Sequence, residues 1–160
     1  MMTLLSQAIE IAVKAHDGQT DKAGLPYILH PLRLMLQAAD EEENDNDRIV
    51  AVLHDVVEDS DVLFSTLTGI FSATIMSALD AITRREEEAY ANYIERVSRN
   101  PLATRVKVLD LRDNLDPRRP STCMLPATTI VKYNRALARL TCLDLFAPHI
   151  HATIHPQKTS

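Results

Sequence analysis

The chain has 160 residues, with 22 acidic against 17 basic side chains, a net charge of −5, and 46% hydrophobic residues. This is the length of one domain with an ordinary globular composition, enough to bury a core without disulfide or zinc staples. The acidic balance argues against a protein that grips nucleic acid, because that affinity comes mostly from neutralised phosphates. It leaves room for a small phosphorylated ligand in a cleft where a metal or a few local bases reverse the field.

Two cysteines, Cys123 and Cys142, form no close metal pair and fit a reducing compartment. No apolar run approaches the ~18 residues of a membrane span. Residues 1–7 lack the basic-then-apolar pattern of a signal peptide. These features predict a cytoplasmic protein with no membrane partner. No oligomeric state follows from them.

Only three glycines occur, Gly18, Gly24 and Gly69, too few for the tight turns of a β-rich domain. The eight prolines fall where helical periodicity starts or stops. The expected fold is therefore all-α, a compact helical bundle. A first helix is predicted over 4–17, where Leu5, Ala8, Ile9, Ala12 and Ala15 form one apolar stripe. Gly18 ends it, and 18–29 read as a loop. A second helix starts at His30-Pro31, since proline suits a first turn. The acidic run 40–47 reads as a solvated linker.

Further helices are predicted over 46–59, 63–68, 72–82, 88–100, 102–114 and 127–146. Between them lie an exposed charged hinge at 84–88 and a proline-rich loop at 117–126. The domain is drawn at 1–147, with 148–160 as a flexible tail. His149, His151 and His155 fall in that tail at a spacing that suits no single helix face. Cys123 reads as a loop thiol and Cys142 as a core filler of the last helix.

The chemistry concentrates in two stripes. At about 100° per residue, His54, Asp55, Glu58 and Asp59 fall within a sector of about 140° on the helix over 46–59. Ile49, Val52, Leu53, Val56 and Val57 occupy the opposite face, and Ala51 leaves space within the polar sector. Three crowded carboxylates repel one another, and a divalent cation relieves that repulsion. A solvent-facing polar stripe is the bland alternative. On the helix over 102–114, Lys107, Asp110 and Asn114 share a face, with Asp110 inside the apolar run 106–111. A buried aspartate needs a partner, either a metal or a neighbouring arginine.

His30, His54-Asp55 and Asp110, in that order, resemble the HD metal-dependent phosphohydrolase superfamily. Four flanking words narrow the resemblance: Ala15-His16-Asp17-Gly18-Gln19, Gly24-Leu25-Pro26-Tyr27-Ile28-Leu29-His30-Pro31, Leu53-His54-Asp55-Val56-Val57-Glu58-Asp59, and Val106-Lys107-Val108-Leu109-Asp110 with Asn114. They are similar to the hydrolase domain of the RelA/SpoT stringent-response proteins, and at this length to small alarmone hydrolases. The resemblance covers about 4–146.

It implies one divalent metal, manganese (Mn2+), held by His30, His54, Asp55 and Asp110. Two imidazoles and two carboxylates suit such an ion better than a thiolate-rich zinc site would. It further implies that Glu58 and Asp59 handle the attacking water and its protons. Asn114 would lie near the nucleotide sugar, and Lys22 and Tyr27 in the loop bordering the nucleotide. The implied reaction is removal of pyrophosphate from the 3′ position of (p)ppGpp. One departure concerns the base: where the family carries a basic pair in that loop, this chain has Asp21-Lys22. A carboxylate there accepts from guanine or from the adenine amino group, so (p)ppApp joins the candidate substrates.

Outside the metal, Arg84, Arg85, Arg96 and Lys107 are candidates for phosphate contact, Lys107 the strongest because it shares the stripe of Asp110 and Asn114. Tyr90 and Tyr93 read as core or rim, and His16 as a structural histidine. Two other functions fit the same pattern. One is an HD phosphohydrolase acting on another nucleotide. The other is a catalytically inactive nucleotide-sensing module.

Overall fold

The computed structural model describes residues 2–38 and 45–144. Among them, nine α-helices follow one another: α1 Leu4–Ala15, α2 Leu29–Gln37, α3 Asn46–Leu53, α4 Val56–Asp59, α5 Phe64–Thr68, α6 Ala73–Ile82, α7 Tyr90–Val97, α8 Pro101–Leu115 and α9 Ala127–Asp144. A 3-10 turn, Thr122–Met124, interrupts the loop before α9. The described residues contain no strand beyond an isolated antiparallel bridge between Thr20 and Pro26. The all-α expectation holds. The tail at 148–160, with its three histidines, and residues 40–44 of the acidic run lie outside the described residues.

Local chemistry places the helix starts. Thr3 accepts from the Ser6 amide before α1, and Ser72 from the Ile75 amide before α6. Asn100 accepts from the Ala103 amide before α8, where Pro101 supplies the first turn. After α1, Gly18 sits at φ 72° and Gly24 at φ 79°, the left-handed backbone that glycine adopts without a side-chain clash.

At the centre stands α3. Ile49, Val50, Ala51, Val52 and Leu53 are all buried, and α1, α2, α6 and α8 pack around it. A helix apolar on all sides belongs in a core. Asp47, expected in the linker, belongs to α3 and is buried, its carboxylate bound by Arg105 Nε at 2.6 Å and Nη2 at 2.8 Å. Cys142 is exposed and not a core filler, and Cys123 is an exposed thiol within the 3-10 turn.

The largest correction concerns 46–59. The continuous helix predicted there is broken after Leu53, and α4 begins only at Val56. The His54 ring Nδ1 lies 2.8 Å from the Ala51 carbonyl oxygen. In an unbroken helix that carbonyl would accept from the Asp55 amide, so the imidazole competes for it. A side chain inserted into the helical ladder is a recognised cause of such a break. His54 and Asp55 keep right-handed backbone angles across the break, at φ −59° and −102°.

Candidate metal centre and substrate cavity

Three elements converge on one point. The N-terminus of α2 carries His30, the break between α3 and α4 carries His54 and Asp55, and α8 carries Asp110. Ligand-capable atoms of His30, His54 and Asp110 all lie within 4.8 Å of one another, and all three residues are buried. His30 Nε2 lies 3.2 Å from Asp110 Oδ1 and 3.9 Å from Asp55 Oδ2. His54 Nε2 lies 2.9 Å from Asp55 Oδ2 and 3.8 Å from Asp110 Oδ1.

The ring hydrogens decide what this cluster wants. His54 donates from Nδ1 to the Ala51 carbonyl, and His30 from Nδ1 to Asp113 Oδ2 at 2.6 Å. In each neutral ring the Nε2 lone pair is then aimed at the carboxylates. His54 Nε2 is buried without a hydrogen-bond partner; its approach to Asp55 is a contact between two acceptors. A positive charge must sit among these atoms, either protons or a metal cation. Absent a cation, the charge falls on the rings. Burial would lower the His30 pKa, but Asp110, Asp113 and Asp55 outweigh it and lift it to about 9. Asp110 is held well below the usual carboxylate range, because Lys107 and the two imidazoles override the cost of burial. The donor set thus fits a divalent cation with nitrogen and oxygen ligands.

His54 is buried, while His30, Asp55 and Asp110 line a cavity of about 370 Å³. Glu58 and Asp59, on α4, open into it from one side. Both are accessible to solvent, yet partial desolvation raises both carboxyl pKa values, with the nearby Asp55 charge adding to the effect. Glu58 Oε2 accepts from the Arg84 amide at 3.0 Å. The loop after α1 forms a second wall. Tyr27 donates to Asp55 Oδ2, and Gln19 Nε2 donates to the Asp59 carbonyl at 2.7 Å. His16, buried, rests its Nδ1 against Gln19 Oε1 at 2.9 Å, while its Nε2 is buried without a hydrogen-bond partner. Lys22 lines the rim.

Asp21 also lines the cavity, but its carboxylate is engaged by its own loop. Oδ1 accepts from the Ala23 amide at 2.9 Å and the Leu25 amide at 3.0 Å, and Oδ2 lies 3.8 Å from Arg119. On α8, Lys107 Nζ lies 2.7 Å from Asp110 Oδ2, so the nearest fixed charge is a lysine and not the arginine considered from sequence. Asn114 Nδ2 donates to Asp110 Oδ1 at 2.5 Å.

Arg96 is a correction. It does not line the cavity. Its guanidinium binds Glu88 and the backbone carbonyls of Asp80, Ala81 and Thr83, closing the C-terminal end of α6. Arg85 lies outside as well, on the surface 3.6 Å from Asp80, whereas Arg84 does line the cavity. Tyr93 is buried and donates to the Ile82 carbonyl at 2.5 Å, while Tyr90 stands at the rim.

Sequence reasoning passed over four residues here, of which Lys132, Tyr133 and Arg119 line the cavity. Lys132 and Tyr133 come from α9, where Lys132 Nζ lies 4.7 Å from the Tyr90 ring centroid and 5.4 Å from that of Tyr133. Asp113 and Arg119 lie behind His30 and the loop. The weak apolar pattern of α9 gave no signal for its inward face. Asp113 was visible only as one more acid beside Asn114.

No family model matches the chain. Among curated proteins, a guanosine-3′,5′-bis(diphosphate) 3′-pyrophosphohydrolase of Vibrio cholerae is 32% identical over 164 aligned positions, covering 97% of this chain and 22% of the relative. One of the same description from Aquifex aeolicus is 30% identical, over 70% of this chain and 17% of the relative. The bifunctional (p)ppGpp synthase/hydrolase SpoT of Escherichia coli is 28% identical, over 97% and 22%. The chain thus spans about a fifth of the length of these relatives. Among solved structures, a metazoan ortholog of SpoT, described as hydrolysing ppGpp, superposes with a TM-score of 0.68 at 20% identity. The match covers 88% of this chain and 86% of that one, and shows a shared fold.

Proposed function

We propose that this chain, an HD-superfamily (p)ppGpp-hydrolase-like domain related to RelA and SpoT, hydrolyses the 3′-pyrophosphate of alarmone nucleotides. The observation that carries the reading is the convergence of His30, His54 and Asp110 within 4.8 Å, with His30 and Asp110 lining the cavity that Glu58 and Asp59 enter. His30, His54, Asp55 and Asp110 would hold the metal, with manganese the ion this donor set suits. A divalent cation bound there supplies Lewis acidity towards a phosphoryl oxygen and acidifies water.

The remaining steps belong to the chain. Water attacks the phosphorus next to the 3′ oxygen, and Glu58 takes its proton. The bond from that phosphorus to the 3′ oxygen breaks, pyrophosphate departs, and Asp59 returns a proton to the 3′ oxygen. Raised carboxyl pKa values suit both groups to proton transfer nearer neutrality. Lys107 balances Asp110, Arg84 and Lys132 meet the phosphate chain, and Tyr27, Lys22, Asp21 and Asn114 border the nucleoside.

The test is one assay: purified protein with manganese, offered (p)ppGpp and (p)ppApp separately, with products resolved by chromatography. Pyrophosphate with GDP or GTP, or the adenine equivalents, is the expected outcome. Orthophosphate would indicate an HD phosphohydrolase of a different nucleotide. Tight binding without product would indicate a sensing module.

A further inference from the structure

Behind the metal ligands lies a buried charge cluster to which neither the resemblance nor the proposed chemistry gives a role. Asp113, on α8, is buried, with its side chain only 3% exposed. Its Oδ2 accepts from His30 Nδ1 at 2.6 Å. Its Oδ1 accepts from Arg33 Nε at 2.8 Å, and Oδ2 also accepts from Arg33 Nη2 at 3.1 Å and from Arg119 Nη1. One carboxylate therefore serves a metal-ligand candidate on one side and two guanidinium groups on the other. Arg119 continues the chain of charges: its Nη2 lies 3.8 Å from Asp21 Oδ2, in the loop that walls the cavity.

We propose that Asp113 is a positioning residue for His30: it holds the ring proton on Nδ1 and so presents Nε2 to the metal, while Arg119 ties that same carboxylate to the cavity loop through Asp21. This rests on the metal reading above. A carboxylate behind a ligating imidazole fixes its tautomer and orientation and raises its basicity as a ligand. Arg33 and Arg119 keep Asp113 ionised in a buried place where a lone carboxylate would be too costly. Asp113 does not line the cavity, so its effect must appear first in metal affinity.

The experiment compares manganese binding, by titration calorimetry, in the wild type, Asp113→Asn and Arg33→Met. Asp113→Asn should bind manganese ~10–100-fold more weakly, and Arg33→Met close to the wild type, because Arg119 still compensates Asp113. Equal binding by wild type and Asp113→Asn would overturn this inference alone. A parallel loss in both variants would also overturn it, since a merely structural ion cluster behaves that way. No binding by the wild type would overturn the metal reading and this inference with it. Should Asp113→Asn fail to fold, the wild type decides the matter. Long-range ¹⁵N–¹H spectra with zinc as a diamagnetic probe should show His30 protonated at Nδ1, and the opposite tautomer would overturn the proposal.

Discussion

His54 Nε2 stands 2.9 Å from Asp55 Oδ2, with the ring's other nitrogen donating to the Ala51 carbonyl. With a neutral ring these two acceptors repel, so the site takes up either a ring proton or a metal cation, and a bound cation takes the proton's place. Metal and fold stability are therefore linked. At free manganese 100-fold above its dissociation constant the native state gains about 2.7 kcal/mol, and the melting temperature of a chain this size should rise by roughly 5–10 °C over that in chelator. His54→Ala and Asp55→Ala should lose bound manganese, the thermal shift and the activity together. Manganese retained at full stoichiometry in either variant would remove that residue from the ligand set.

Glu58 is separable from metal binding. It enters the cavity from α4 and hydrogen-bonds the Arg84 amide, away from the histidines. Glu58→Gln keeps the shape and an acceptor for that amide but cannot take a proton. Manganese affinity should stay near the wild type while kcat falls ~10²–10⁴-fold, the usual worth of a positioned general base. A kcat within a few-fold of the wild type would take Glu58 out of the mechanism.

Most of the helices were legible because their signals are local. Pro31 marks a start, Gly18 marks an end, and an apolar repeat marks the buried face of α1. The break at His54 was not, because the apolar rhythm from Ile49 to Val57 runs straight through it, and the cause is a single imidazole reaching back three residues. Four ligand candidates could be named from the resemblance. Asp113 could not, since its contact with His30 spans 83 positions and exists only once α2 and α8 pack. Arg96 shows the same limit in reverse. Nothing around it in sequence separates an arginine that meets phosphate from one that binds the last carbonyls of α6.

The Arg96–Glu88 pair makes its own prediction about acid. The Arg96 guanidinium holds the Glu88 carboxyl at about 2, below its ordinary 4.5. A carboxylate depressed by folding contributes stability that is fully present above the unfolded value and is lost as pH falls through the folded one. Glu88→Gln should thus be less stable than the wild type near neutrality, by about 1.5–3 kcal/mol for a charge-assisted hydrogen bond. That gap should narrow as pH drops from about 4.5 towards 2. Denaturant unfolding of both proteins across this range checks it, and a gap independent of pH would show that the pair's charge does not matter.

Lys132 tests where the phosphate chain lies. It stands over the Tyr90 and Tyr133 rings on the wall of α9, across the same cavity from the metal ligands. An ammonium over two aromatic faces is attracted by both rings and held against this wall of the cavity. If the nucleotide's distal phosphates reach this wall, Lys132→Ala removes binding shared by ground state and transition state. KM should then rise about tenfold, about 1.4 kcal/mol, with kcat nearly unchanged. Because the contact is partly solvated, the ratio of variant to wild-type KM should shrink as salt is added. Steady-state kinetics at low and high ionic strength measure both quantities. A KM that does not respond to the substitution would move the phosphate chain to the Arg84 side of the cavity.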